Sequence, residues 1–68
     1  MSLSYNKLWK LCIDHQMRKS ELAKATKMSP STLAKLGKNE TVSLETLMRI
    51  CKVSHCDIGD ILEINTED

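Results

Sequence analysis

The sequence predicts an all-α fold of five short helices in one small domain, and three observations support this. The chain has 68 residues, close to the lower limit for folding on a hydrophobic core without disulfides or metals. Aromatic residues make up only 3% of it, so the core must come from Leu, Ile, Ala, Met and Cys, which suit packed helices better than a sheet. Signals for helix starts also recur along the chain. We expect the domain to cover residues 1–64 and the acidic tail at residues 65–68 to fray.

Four of the five helix starts carry the same local signal. An apolar residue precedes a Ser or Asp that can cap the helix, and a Leu or Ile follows at the spacing of a hydrophobic staple. The four capping residues are Ser4, Ser29, Ser43 and Asp57. The remaining start is weaker, because Arg18 cannot accept a hydrogen bond, although Glu21 supplies half of a capping box. The predicted helices cover about 4–15, 19–26, 30–36, 43–52 and 57–62, and residues 63–64 can extend as a strand.

Apolar residues at helical spacing predict which side of each helix is buried. The expected core residues are Leu8, Leu11 and Cys12 in the first helix, with His15 as a further candidate at its end, Leu22 and Ala23 in the second, Leu33 and Leu36 in the third, Leu44, Leu47, Ile50 and Cys51 in the fourth, and Ile58, Ile61 and Leu62 in the last.

Cysteine content and hydropathy predict the cellular compartment of the protein. Three cysteines cannot all pair within one chain, and two of them lie in apolar helical patterns, so we expect free thiols and a reducing compartment. No apolar run reaches the roughly 18 residues of a membrane span. The sequence therefore predicts a cytoplasmic protein without a membrane segment.

The third predicted helix has both ends specified by its sequence. Ser29 is its cap, Pro30 lies at the first helical position, where a missing N–H costs nothing, and Gly37 can take the left-handed turn that ends it. Since Leu33 and Leu36 mark the buried side, the opposite side consists of Ser31, Thr32 and Lys35. So short a helix is not stable alone, and we expect it to present this polar side to a partner.

The charges are divided between the two parts of the chain. Residues 1–38 contain eight basic and two acidic residues, a net charge of +6, whereas residues 39–68 contain two basic and seven acidic residues, a net charge of −5. Such a division is consistent with a first part that binds a polyanion, and equally with a solvated surface whose charges segregated by chance.

Two short helices joined by about three residues, the second with a polar outer side, are the arrangement that enters the major groove of DNA. Ser31, Thr32 and Lys35 are the candidate base-reading residues, because hydroxyls suit several base edges and Lys can donate to guanine. The candidates for contacts with the DNA backbone are Lys19, Lys27, Ser29, Lys38 and Arg18. The free N–H groups at both helix N-termini would help to fix the register.

Four segments, residues 21–24, 28–36, 42–51 and 56–62, resemble in order and spacing the Cro and phage-repressor (XRE-like) type of helix-turn-helix transcriptional regulator. The resemblance implies a repressor-like domain with the helix-turn-helix at helices 2 and 3, and a sequence-specific regulator of transcription that acts as a repressor on double-stranded DNA. It also implies that Ser31 and Lys35 read bases and that Lys19 and Ser29 contact the backbone. The family commonly has Gly at the position of Lys27, so this Lys must adopt an unusual backbone angle or shift the turn.

One domain of this kind contacts only a half-site, so we expect a symmetric homodimer on an inverted repeat. The candidate dimer surface is the acidic part of the chain, with Ile58 and Ile64, and Trp9 on the first helix is a further candidate.

The alternative function is a protein-interaction module, antitoxin-like or accessory, that keeps the fold without binding DNA. An enzyme is not expected, because the chain offers few groups that could converge in a pocket. His15, His55, Cys51 and Cys56 lack the paired spacing of a metal site, so the sequence predicts neither a metal nor a cofactor. No small-molecule ligand is evident either.

Overall fold

The computed structural model describes residues 1–67, which form four α-helices, one short 3-10 helix and a two-stranded antiparallel sheet. In chain order the elements are β1 (Ser2–Ser4), α1 (Asn6–Asp14), α2 (Lys19–Thr26), α3 (Pro30–Gly37), α4 (Leu44–Ser54), the 3-10 helix (Ile58–Asp60) and β2 (Glu63–Asn65). The predicted helical class is confirmed. The predicted fraying of the acidic tail concerns residues 65–68, of which residue 65 belongs to β2 and residue 68 lies outside the described residues.

The core contains one apolar cluster to which all four α-helices contribute. Its buried members are Tyr5, Leu8, Cys12, Leu22, Leu36, Leu47, Ile50 and Ile61. The expected burial of Leu44 is wrong, since this side chain is 61% exposed. Leu44 is the first residue of α4. It lies at the edge of the buried side of this helix, which contains Leu47 and Ile50. Among the described residues, no helix is long and apolar enough to span a membrane.

The first predicted helix start is also wrong, because residues 2–4 are a strand. β1 pairs with β2 so that Ser2 faces Asn65, Leu3 faces Ile64 and Ser4 faces Glu63. The extended backbone delays the start of α1 to Asn6, and the hydroxyl of Ser4 accepts a hydrogen bond from the Asn6 N–H at 3.2 Å. The strand expected at residues 63–64 is present, whereas its partner β1 was not expected.

The fifth predicted helix is reduced to a three-residue 3-10 helix. Asp57 accepts a hydrogen bond from the N–H of Ile58 at 2.9 Å, and the Asp60 carboxylate accepts one from the N–H of Asp57 at 2.9 Å. These local bonds satisfy the first turn, and the chain then leaves the helix to reach β2. The prediction failed because β2 needs an extended backbone immediately after Leu62.

The end of α3 differs from the expectation as well. Gly37 is helical, and the left-handed residue is Asn39, with φ of 57°. The N–H of Glu40 donates to the carbonyl of Lys35 at 2.9 Å and closes this turn. Tyr5 holds the turn in place, because its N–H donates to Asn39 Oδ1 at 3.1 Å and its hydroxyl donates to the Glu40 carbonyl at 2.8 Å. The side chain of Asn39 gives this position a long-range partner that a glycine would lack.

Candidate nucleic-acid interface

α2 and α3 are joined by a tight turn at residues 27–29, as expected for a helix-turn-helix. Lys27 adopts the left-handed conformation, with φ of 58° and ψ of 31°, as its place in the turn requires. The N–H of Met28 donates to the carbonyl of Ala23 at 3.1 Å, which satisfies one of the last carbonyls of α2. The buried hydroxyl of Thr26 donates to the Leu22 carbonyl at 2.7 Å. These bonds hold the last turn of α2 and the start of the turn that leads to α3.

The N-terminus of α3 carries a cluster of three hydroxyls. Ser29 accepts a hydrogen bond from the N–H of Thr32 at 3.2 Å, so it is the cap that the sequence predicts. The Ser29 oxygen also lies 3.0 Å from the hydroxyl oxygens of both Ser31 and Thr32. Since one hydroxyl has one proton, Ser29 can donate to only one of these neighbours, and at least one of the other two must donate to Ser29. The cluster is therefore ordered before any ligand arrives.

The polar side chains on the outward side of α3 differ in their exposure to solvent. Ser31 and Lys35 are exposed and lie four residues apart, so they share one side of the helix. Thr32 is half-buried, with its hydroxyl directed to Ser29. Of the three predicted base-reading residues, Ser31 and Lys35 are therefore the more accessible. Thr32 is partly exposed, and its hydroxyl also belongs to the cap of α3.

The basic residues predicted to contact the DNA backbone surround these helices. Arg18, Lys19, Lys27 and Lys38 are exposed, as is Ser29. Within residues 1–67 the one ion pair joins Arg49 to Glu45 at 2.9 Å, so none of these cations is neutralised by a carboxylate. A group of unpaired cations beside an exposed helix produces a positive potential that attracts phosphates.

Lys19 has a contact that sequence reasoning missed. Its ammonium nitrogen lies 4.4 Å from the ring centroid of Trp9, a distance typical of a cation–π interaction. Lys19 is the first residue of α2, whose start is supported by a hydrogen bond of 3.1 Å from the Arg18 N–H to the Glu21 carboxylate. The contact with Trp9 therefore restricts where the Lys19 charge can lie at the N-terminus of α2.

The three dimer candidates lie on different elements. Ile64 is on β2 and is 57% exposed, Ile58 is half-buried in the 3-10 helix, and Trp9 is half-buried on α1 beneath Lys19. Met1, which is 85% exposed, adds a further apolar side chain at the end of the sheet that Ile64 belongs to. Ile13 on α1 and Leu44 and Met48 on α4 are exposed apolar side chains as well, so the sheet is one of several exposed apolar surfaces.

Tyr5 and Asn39 are residues with a positional role that sequence reasoning did not find. Tyr5 is only 1% exposed, and its two hydrogen bonds join α1 to the turn that ends α3. The signal for Asn39 was its residue type, since Asn tolerates the left-handed conformation. No local signal exists for the bond to Tyr5, because the two residues are 34 positions apart.

The two histidines lie at helix ends rather than in the core. His15 and His55 are both exposed, each just after the last residue of a helix. Within residues 1–67, no three His, Cys, Asp or Glu side chains lie together as metal ligands would. The arrangement of exposed hydroxyls and cations on α2 and α3 therefore remains the candidate site.

Comparisons with known families and structures show which proteins this chain resembles. The family profile of the Cro/C1-type helix-turn-helix DNA-binding domain matches residues 7–67. The chain belongs to this family, and its predicted resemblance to Cro and phage-repressor regulators is confirmed.

A solved structure is also similar to this chain. It is the crystal structure of the transcriptional regulator VanUg, in its form II, which is 60% identical in sequence. The match covers 91% of this chain and 83% of that chain, with a TM-score of 0.89. No curated protein matches this chain.

Proposed function

We propose that the protein is a transcriptional regulator that binds a specific sequence of double-stranded DNA and represses transcription by occluding a promoter. The observation that carries the proposal is the exposed pair Ser31 and Lys35 on a fully capped α3, surrounded by cations without acidic partners. In this assignment α3 lies in the major groove and α2 crosses the backbone, which is the family's docking geometry. The similar protein VanUg is described as a transcriptional regulator, which supports the same function.

The proposal assigns different roles to residues on the two helices. Lys35 donates to acceptors on a base edge, and Ser31 and Thr32 offer hydroxyls near the helix N-terminus. The residues that bind phosphates in this assignment are Lys19, Lys27, Lys38, Arg18 and Ser29, together with the backbone N–H of Ser31 at the start of α3. Base contacts determine which sequence is bound, whereas phosphate contacts act on every sequence alike.

The experiment first selects bound fragments from genomic DNA and then measures duplex affinity against salt. We expect a steep loss of affinity as salt rises, with a slope of about −0.9 for each phosphate contacted. Lys35→Ala should reduce the preference for the selected site over random DNA, whereas Lys19→Ala should weaken binding to both alike. Lys7→Ala is the matched control, because the Lys7 ammonium donates to the Gly59 carbonyl at 3.3 Å, outside α2 and α3.

One outcome would overturn this function, and a second would change the role of Lys35. Absence of salt-dependent duplex binding would favour the protein-interaction module instead. Equal effects of Lys35→Ala on selected and random DNA would remove Lys35 from base reading. Repression itself is tested by transcription in vitro from a promoter that contains the selected site, where added protein should reduce the transcript and Lys35→Ala should reduce it less.

We also propose that the protein binds its site as a homodimer through the sheet. The support is the exposed apolar side chain of Ile64, with Ile58 and Trp9 as additional contacts. Sedimentation with and without an inverted-repeat duplex should give a dimer that Ile64→Lys weakens. Leu44→Lys is the control, since Leu44 is 61% exposed on α4, which contains none of the three candidate contacts. A monomer at high concentration, both alone and on DNA, would contradict this assignment.

A further inference from the structure

The end of α4 brings two cysteines next to each other. α4 ends at Ser54, His55 is left-handed with φ of 53° and ψ of 49°, and the N–H of Cys56 donates to the carbonyl of Cys51 at 3.1 Å. At this type of helix end, the residue three positions before the end and the one two positions after it lie side by side. Here both are cysteines, and both line the same surface recess.

The two thiols are also accessible from the solvent. Cys51 and Cys56 are both free and half-buried, and they line a shallow surface recess together with Met48, Lys52 and His55. Cys12, the third cysteine, is free but buried in the core. A small oxidant can therefore reach Cys51 and Cys56, while Cys12 provides an internal reference.

We propose that Cys51 and Cys56 are a reversible disulfide site, closed by a low-molecular-weight disulfide such as glutathione disulfide. This inference does not depend on the DNA-binding function. In the first step the Cys51 thiolate attacks one sulfur of glutathione disulfide, forming a mixed disulfide and releasing one glutathione thiolate. In the second step Cys56 loses its proton and attacks the Cys51 sulfur, releasing the second glutathione. The two cysteine thiols are oxidised, and one glutathione disulfide is reduced to two glutathione thiols.

The surroundings determine the order of attack. Burial, together with the charge of Cys51 and the hydrogen bond to it, raises the pKa of Cys56 to about 11, and Asp60 and Asp57 act in the same direction. Because the thiolate is the nucleophile, the raised pKa of Cys56 assigns this thiol to the second step, in which it closes the bridge.

The fold favours closure because the backbone already brings the two residues together. A disulfide usually joins residues whose Cα atoms are about 4.4–6.8 Å apart. The bond from the Cys56 N–H to the Cys51 carbonyl holds together two residues that are five positions apart in the sequence. In the unfolded chain the same pair must be brought together by chance. The folded protein should therefore be oxidised at a lower ratio of glutathione disulfide to glutathione than the unfolded chain.

The experiment equilibrates the full chain with glutathione redox mixtures, traps remaining thiols with an alkylating agent and measures the intact mass. For the folded protein we expect a monomer that has lost two hydrogens and carries one alkylated thiol, that of Cys12. The ratio of glutathione disulfide to glutathione at which half of the protein is oxidised should be at least about tenfold lower than in concentrated urea. By linkage, the disulfide should then raise the folding equilibrium constant by the same factor.

Variants distinguish the bridge from simple exposure of thiols. Cys12→Ala should still form the bridge, whereas Cys51→Ser and Cys56→Ser should give only a glutathione adduct. The folded wild-type protein is itself decisive even if a variant fails to fold. If it yields only glutathione adducts or unreacted thiols, or if its midpoint equals that in urea, the two cysteines are merely packed against each other and the proposal is wrong.

Discussion

Lys27 combines an unfavourable backbone conformation with a useful charge. Its left-handed conformation costs a non-glycine residue about 1–2 kcal/mol. A glycine avoids this steric cost but loses more backbone entropy on folding, so the net gain from a glycine is smaller. We therefore expect Lys27→Gly to raise the free energy of unfolding by about 0.5–1 kcal/mol, as measured by urea denaturation. In the proposed complex the same change removes one phosphate contact, so the salt slope of DNA binding should become shallower by about 1.

His55 offers the matched control, because it has nearly the same backbone conformation at the end of α4. His55→Gly should also stabilise the fold, but it should leave DNA affinity unchanged. If both variants lower affinity equally, Lys27 does not contact phosphate. If Lys27→Gly destabilises the protein, the Lys27 side chain contributes more to the turn than its exposed position indicates.

Among the helices and strands, the sequence predicted correctly those boundaries that depend on interactions between residues close in the chain. The starts of α2, α3 and α4 were predictable because Glu21, Ser29 and Ser43 act within one helical turn. β1 was not predictable, because Ser2–Ser4 become a strand only through pairing with residues about 60 positions later. Likewise, Gly37 had the residue type of a helix end, but the bonds from Tyr5 place that role on Asn39.

The candidate site was predictable to a similar degree. The exposure of Ser31 and Lys35 follows from helical periodicity, since Leu36 occupies the buried side of the same helix. The contact of Lys19 with Trp9 did not follow, because it joins two helices whose packing depends on the whole core. Sequence patterns therefore predict which side of an element is polar, whereas contacts between elements require the fold.

The link between α1 and the end of α3 gives a prediction at this scale. Tyr5→Phe removes the hydroxyl that donates to the Glu40 carbonyl at 2.8 Å and keeps the buried ring. We expect the free energy of unfolding to fall by about 1 kcal/mol, the usual net contribution of one such hydrogen bond. Urea denaturation measures the change, with Ser4→Ala as control, because the Ser4 bond to Asn6 is exposed and local. An unchanged stability would mean that water replaces the lost hydroxyl.

For the whole molecule, the division of charge along the sequence corresponds to a division among elements. α2, α3 and the turn between them contain Lys19, Lys24, Lys27 and Lys35 against Glu21 alone, whereas the 3-10 helix and β2 contain Asp60 and Glu63 without a basic residue. A duplex approaching α3 would thus be attracted, while the acidic elements are repelled from it. The charge distribution favours one orientation of docking before any base is read.

The stability of the whole molecule should fall in alkaline solution, because three buried or half-buried groups have raised pKa values. Burial raises the pKa of Cys12 and of Tyr5, and burial with the neighbouring Cys51 raises the pKa of Cys56 to about 11. In the unfolded chain thiols titrate near 9.0 and Tyr near 10.0. The unfolded state therefore releases protons first as pH rises, and the free energy of unfolding decreases.

The pH windows of these groups can be separated by substitution. The stabilising contribution of Cys56 to the free energy of unfolding is fully present below pH 9 and is lost as pH rises from 9.0 to about 11. Above that pH, Cys56 no longer affects the slope of stability against pH. Cys56→Ala should therefore flatten the stability curve within this window, whereas Tyr5→Phe should flatten it only above pH 10, where the free Tyr titrates. Urea denaturation from pH 7 to pH 11 in a phosphine reductant measures both curves. If Cys56→Ala has the same slope as the wild-type protein between pH 9 and 11, the Cys56 thiol is no more protonated in the folded state than in the unfolded chain.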